Sequence, residues 1–349
     1  MQIDNLFNLM DIRNLLEERK IELKYIDKPT YIRDGLLEQQ IITNDDSFTI
    51  NLLENAGFRK YYPISAASLH EAEKLAETIG PGEIVGVGGG KAIDVAKYVS
   101  NRLDWPLVLV PTGPSHDGLA SVNCSLYNGQ ERKSLHTKYP RKLIIPLHLW
   151  KTSGNLRKAG ICDLLSNRVA LQDVQLAYVC DGKEFDETYR EMSKGAIEKL
   201  VDMEDDKGLA EALILSGIAM EKGSQYCSGS DHDAERLLES KIKNTFYHGQ
   251  LAGTGTLISA YCYLVEADNL PTELEYDSSK LFEMTVEDMK NLGVLDFALE
   301  PLVYEKFNPK WLKELSKVRP DRYNLWNKVN SEEVDWNEVT GMLKALKQG

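Results

Sequence analysis

Three polar residues in the second half of the chain stand among apolar or small neighbours. Asp163 lies in RKAGICDLLSNRVAL, His232 in CSGSDHDAERLLES and His248 in NTFYHGQLAGTGTL. One carboxylate and two imidazoles from separate helices suit a divalent ion of the zinc or iron type with an open position for substrate. Their spacing is too long to be diagnostic, and for either histidine alone a core or helix-cap role is the commoner case. Arg236 follows His232 by four residues and shares its helix face. A guanidinium there can offer a fork to a phosphate or carboxylate, although an exposed helix charge is the ordinary alternative.

The other chemistry-bearing stretch is Glu83 to Ser125, EIVGVGGGKAIDVAKYVSNRLDWPLVLVPTGPSHDGLASVNCS. An apolar run breaks into Gly86, Gly88, Gly89 and Gly90, followed by a helical segment with Lys91, Asp94 and Lys97. Glycines between a buried strand and a helix let the backbone approach a pyrophosphate at the helix N-terminus. The spacing matches neither familiar glycine motif. A P-loop needs glycine where Val85 stands and Ser or Thr where Ala92 stands, and GxGxxG needs glycine in place of Lys91. A turn tightened only for packing, with Asp94 and Lys97 on a solvated helix face, is the competing reading. The second turn favours the cofactor reading. Thr112, Ser115 and Ser121 supply short hydroxyls, and Asp117 follows a strand end, where ligands of open α/β sheets gather. Alone, an Asp beside a Gly is an ordinary turn-former.

These groups need elements to hold them. The order of strand Ile84–Val87, glycine turn, helix Ala92–Asn101 and strand Leu107–Val110 is a βαβ unit, which implies a parallel sheet. Ser68 with Glu71 three residues on has capping-box spacing and opens a helix to Ile79. Ile3–Arg19 has helical periodicity, and short strands are expected near Ile41–Thr43 and Tyr61–Ile64. Asn123–Tyr127 and Lys142–Pro146 read as strands joined by a hairpin turn at Asn128-Gly129. Beyond about Asn155 nearly everything is helical, including one long helix over Glu235–Tyr263. The expected architecture is an α/β nucleotide-binding domain with a parallel sheet over residues 1–153, followed by an all-α domain over 154–349 that binds metal and substrate.

At 349 residues the chain exceeds one hydrophobic core. Its formal net charge of −13 argues against nucleic acid or an anionic membrane surface as partner. No apolar stretch approaches the roughly 20 residues of a membrane span. The five cysteines are widely spaced, without a CxxC pair, and suit a reducing compartment. A cytoplasmic location is expected.

GVGGGKAID, PTGPSHDGLAS, AGICDLLSN, SGSDH and HGQLAGTGT, with a late RPDRYNLWNKV, occur in that order. In this the chain resembles the glycerol-1-phosphate dehydrogenases, within the superfamily of iron-type alcohol dehydrogenases, glycerol dehydrogenases and dehydroquinate synthases. The resemblance spans roughly residues 75 to 330. It implies a dehydroquinate synthase-like, two-domain fold with the active site in the cleft, and an NAD- or NADP-linked oxidoreductase that forms homo-oligomers. Gly88, Gly89, Gly90, Lys91 and Asp94 would line the cofactor's phosphates and ribose, with Thr112, Ser115 and Ser121 continuing the site. Asp117 would hold substrate. Asp163, His232 and His248 would hold Zn2+, or another divalent ion such as Fe2+ or Ni2+, with Asp163 also touching substrate. The implied substrate is a phosphorylated polyol or ketone, glycerol-1-phosphate or dihydroxyacetone phosphate.

Three positions depart from the family pattern. Arg236 stands where a second histidine usually reaches toward substrate, Gln250 replaces the acid of HGE, and Cys162 replaces the glycine before Asp163. These changes leave open a related enzyme acting on a cyclitol or sugar derivative. A nucleotide-binding protein without turnover is the third alternative.

Overall fold

The computed structural model describes residues 11–28, 39–243 and 245–348. Its elements run α1 (Ile12–Glu18), β1 (Glu22–Ile26), β2 (Gln40–Asn44), α2 (Ser47–Asn55), β3 (Tyr62–Ile64) and α3 (Leu69–Thr78). They continue with β4 (Ile84–Gly88), α4 (Gly90–Leu103), β5 (Leu107–Pro111), β6 (Asn123–Asn128), β7 (Glu131–His136), β8 (Lys142–Pro146) and α5 (Leu147–Trp150). Then come α6 (Asn155–Asp181), α7 (Glu187–Val201), α8 (Asp206–Ala219), α9 (Ser230–Lys241) and α10 (His248–Val265). The last are α11 (Ser278–Asn291), α12 (Leu295–Val303) and α13 (Trp336–Ala345). Two compact units result, one of Met1–Arg157 with Glu204–Glu221, the other of Lys158–Met203 with Lys222–Gly349.

The first unit is built on a six-stranded parallel sheet in the order β1-β8-β5-β4-β2-β3. Strands β4 and β5 are buried along their whole length, the continuous apolar pattern of a parallel sheet covered on both faces. Val85, Val87, Val108 and Val110 pack with Ile41, Leu53, Phe58 and Ile144 into one core cluster. The register pairs Gly88 with Pro111, so the glycine turn and the second polar turn leave the sheet side by side. The Thr112 N–H donates to the Gly88 carbonyl at 3.0 Å and ties the two together.

Helix α3 opens as its sequence predicts, with Ser68 Oγ accepting from the Glu71 N–H at 3.1 Å. Two expectations are corrected. The turn at Asn128-Gly129 joins β6 to β7 in a separate two-stranded antiparallel sheet, whereas Lys142–Pro146 enters the parallel sheet as β8. Strand β7 reads ERKSLH with mostly exposed or half-buried side chains, so it carries no apolar run to announce it. The single helix expected over Glu235–Tyr263 is two helices, α9 and α10, which makes His248 the first residue of a helix. The helix expected over Ile3–Arg19 is present as α1; residues 3–10 lie outside the described residues.

The second unit is helical. Helix α6 is buried almost continuously from Ala159 to Ala177, and α10 from Gly249 to Tyr263, the mark of core helices rather than surface ones. They approach closely because small residues meet. A Cβ on Gly249 would lie 2.1 Å from the Ala159 carbonyl oxygen, and one on Gly253 2.8 Å from Cys162 Cβ. That approach sets His248 against the turn of α6 carrying Asp163. Among the described residues, no helix is long and apolar enough to cross a membrane.

Candidate metal centre and cofactor turns

Asp163, His232 and His248 come from α6, α9 and α10, and one ligand atom of each lies within 4.8 Å of the others. His248 Nε2 is 3.3 Å and His232 Nε2 3.6 Å from Asp163 Oδ1. A tetrahedral ion with bonds of about 2.0 Å holds its ligand atoms roughly 3.3 Å apart, so the separations suit a zinc- or iron-type ion.

The opposite ring nitrogens have carboxylates beside them. His232 Nδ1 contacts Asp231 Oδ2, and His248 Nδ1 lies 3.0 Å from Glu235 Oε1. Asp231 and Glu235 are fully buried. A carboxylate behind an imidazole fixes the tautomer and ring plane and leaves Nε2 as the ligating atom. The sequence reading misses both acids. Glu235 had a signal, since it follows His232 by three residues on the same helix face.

The charges interlock. Burial disfavours an ionised Asp163, yet the His232 and His248 imidazoles beside it hold its carboxyl well below the usual range. Burial likewise works against the His248 imidazolium, but Glu235 and Asp163 raise the ring to about 10. His232 is raised by Asp231 and Asp163 against its own burial.

Around this centre, Arg236 is half-buried one turn beyond His232; desolvation lowers the pKa of half-buried Arg322, with the Arg319 and Arg236 charges adding to it. Gln250 turns to α12, where its Nε2 donates to the Phe297 carbonyl and to Glu300 Oε2, both at 2.8 Å. Cys162 is fully buried against Gly253.

The glycine turn of the first unit is built for close approach. Gly88 has φ +142°, where an L side chain is strained, and its Cβ would lie 2.9 Å from Asn44 Oδ1. Gly89 is the N-cap of α4 without a side-chain cap, and Gly90 is its first residue. Asn44 Oδ1 accepts from the Ala92 N–H at 3.1 Å. The first N–H groups of such a helix are the donors an anion uses. Lys91 is exposed and Asp94 half-buried beside them.

The second turn is equally constrained. Asp117 opens a short 3-10 turn, and its Oδ2 accepts from the Ser216 hydroxyl of α8 at 2.7 Å. Gly217 admits that contact, since a Cβ there would meet the Asp117 carbonyl oxygen at 2.6 Å. Thr112 and Ser121 are buried and Ser115 is half-buried; Ser121 Oγ accepts from the Asn123 N–H at 3.0 Å. Lys97 does not lie on a solvated face. It is fully buried, and its ammonium donates to the carbonyls of Gly118 and, at 3.0 Å, Asn123. Burial lowers its pKa against the pull of Asp94 and Asp117.

The iron-containing alcohol dehydrogenase family model matches residues 52–153. The fold is that of a probable glycerol dehydrogenase from Sinorhizobium meliloti 1021, at a TM-score of 0.67 and 18% identity over 94% of this chain and 96% of that one. An iron-containing alcohol dehydrogenase from Corynebacterium glutamicum shares it at a TM-score of 0.62 and 15% identity, covering 94% of each chain. Among curated proteins, the glycerol-1-phosphate dehydrogenase [NAD(P)+] of Methanothrix thermoacetophila is 32% identical over 69% of this chain and 68% of its own. That of Saccharolobus islandicus strain L.S.2.15 is 30% identical over 85% of this chain and 84% of its own. At 30% identity or more over more than two thirds of its length, the chain belongs to the glycerol-1-phosphate dehydrogenase family.

Proposed function

We propose that this protein is a metal-dependent, NAD(P)-linked dehydrogenase that interconverts glycerol-1-phosphate and dihydroxyacetone phosphate, or a closely related polyol phosphate, by hydride transfer. The observation that carries the reading is the convergence of Asp163, His232 and His248, with Asp231 and Glu235 behind the two imidazoles. When bound, the ion supplies Lewis acidity toward the substrate oxygen and the nicotinamide cofactor supplies the hydride-exchanging ring.

The chain's own residues do the rest. Asp163, His232 and His248 hold the ion, with a carboxylate beside each Nδ1 and Nε2 toward Asp163. Gly88, Gly89 and Gly90 let the cofactor pyrophosphate reach the N-terminus of α4, with Lys91 and Asp94 beside it and Thr112, Ser115 and Ser121 on the neighbouring turn. The Ser216 hydroxyl and the buried Lys97 hold Asp117 and its turn in one conformation, which presents the Asp117 carboxylate to substrate. Arg236 offers its fork to the substrate's anionic end. The reading extends to a cytoplasmic homo-oligomer.

The test is a metal analysis of the purified protein and an assay of nicotinamide oxidation with dihydroxyacetone phosphate. Zinc-restored turnover is expected. Absence of metal, with no activation on adding zinc or iron, would refute the reading. Arg236, standing where the family carries histidine, favours a second reading in which a related ketone or cyclitol derivative is the substrate. Under the first reading, Arg236→Ala raises KM for dihydroxyacetone phosphate; an unchanged KM would remove Arg236 from substrate recognition.

A further inference from the structure

The first turn of the helix that carries His232 has no side-chain cap from its N-cap residue. That residue, Gly229, has no side chain to offer, although Asp231 Oδ1 of the same helix accepts from the Gly229 N–H at 3.0 Å, and the turn is tied down further by partners from elsewhere. One is Asp173 of α6, whose Oδ2 accepts from the Ser230 N–H. The others come from a single segment 86 to 96 residues downstream. Arg319 donates from Nε to Asp233 Oδ1, from Nη1 to Ser228 Oγ at 3.1 Å and from Nη2 to the Gly229 carbonyl. Asn324 Nδ2 donates to Asp233 Oδ2 at 2.6 Å, and Trp326 Nε1 to the Ser230 carbonyl at 3.1 Å. The segment is itself rigid at this point, because Asn324 and Asn327 form a reciprocal capping box.

Both oxygens of Asp233 are therefore gripped, and Asp233 is 2% exposed and next in sequence to His232. Adjacent helical residues point about 100° apart, so the grip fixes the turn without either residue entering the metal centre. A ligand set must be held to within roughly 0.5 Å to bind its ion well, and a helix end frays unless it is tied down.

We propose that Arg319 and Asn324 are positioning residues for the metal centre: through Asp233 they fix the first turn of α9 and so aim His232 Nε2 at Asp163. The inference rests on the metal-dependent reading above and adds a distant segment to it. No feature of the segment's own sequence marks it as part of a metal site.

The experiment compares wild type, Arg319→Met and Asn324→Ala after removal of metal by chelation. Zn2+ affinity is measured by competition with a chromophoric chelator, the visible spectrum is recorded with Co2+ in place of zinc, and NADH binding and Tm are recorded alongside. Both variants should bind Zn2+ about 10–100-fold more weakly, the usual cost of losing outer support for a ligand. Their Co2+ bands should shift or broaden while NADH affinity holds, and Arg319→Lys should recover part of the loss. If Arg319→Met does not fold, Asn324→Ala, which removes a neutral donor to Asp233 and the side-chain acceptor of the Trp326 N–H, carries the comparison. Variants with a lower Tm but wild-type Zn2+ affinity and Co2+ spectrum would reduce the clamp to a stabilising contact and overturn the proposal. A wild-type protein that binds neither ion would overturn the metal-dependent reading and this inference with it.

Discussion

Glu235 Oε1 of α9 lies 3.0 Å from His248 Nδ1, at the start of α10. Helix α9 thus carries one candidate ligand, His232, and three residues later the carboxylate that lies behind another. The two histidine rings sit 5.3 Å apart between centroids, inclined at 52°. Helix α9 is therefore the element on which the centre's geometry depends most.

Replacing Glu235 should expose that dependence. Glu235→Gln keeps the volume but removes the charge behind His248, and metal affinity should fall about 10–100-fold. Competition with a chromophoric chelator measures it. Unchanged affinity would show that the carboxylate does not orient the ring.

The site should also link metal binding to pH. In the metal-free protein His248 is raised to about 10, and His232 is raised as well. For a raised group, the proton-linked stability is complete below the unfolded value near 6.5 and is lost as pH climbs toward the folded value. Metal requires neutral rings and displaces those protons. The zinc-induced rise in Tm should therefore grow between about pH 6.5 and 9. Thermal melts with and without zinc across that range test it, and a pH-independent increment would contradict the assignment.

Gln250 is expected to be structural. Its Nε2 donates to the Phe297 carbonyl and to Glu300, so Gln250→Glu would set a buried acid against two acceptors. The loss should be about 3 kcal/mol, within the range for a buried polar group deprived of its partner. Chemical denaturation at pH 7 measures it, and Gln250→Glu with Glu300→Gln together should recover most of the loss. Wild-type stability of the single variant would place Gln250 elsewhere in the mechanism.

The glycine turn makes a separate prediction. Gly88→Ala combines strain at φ +142° with a Cβ 2.9 Å from Asn44 Oδ1, and Asn44 supports the first turn of α4. Nicotinamide affinity should drop at least tenfold while zinc affinity stays, since the candidate metal ligands lie in the other unit. Fluorescence titration with NADH checks the first, and chelator competition the second.

The sheet was legible wherever burial was two-sided. Val85, Val87, Val108 and Val110 form unbroken apolar runs because helices cover both faces, so β4, β5 and the turns after them could be placed from sequence. Strand β7 could not, because its ERKSLH face is largely solvated. Charged helix residues misled in the opposite sense. Lys97 looks like a surface lysine by spacing, yet it is buried between two carbonyls, and Asp231 and Glu235 look like ordinary helical acids. Their roles arise from tertiary partners that no local pattern encodes. The break between α9 and α10 was hidden for a related reason: apolar periodicity continues on both sides, although His248 begins a new helix.

The central claim is tested most directly by stripping the protein of metal and titrating Zn2+ back into wild type and Asp163→Ala. Turnover of dihydroxyacetone phosphate with NADH or NADPH is followed alongside. The account predicts that wild type recovers activity as one ion per chain binds, whereas Asp163→Ala binds zinc at least a hundredfold more weakly and recovers none. Full activity in the stripped wild type, or zinc-restored activity in Asp163→Ala, would contradict it.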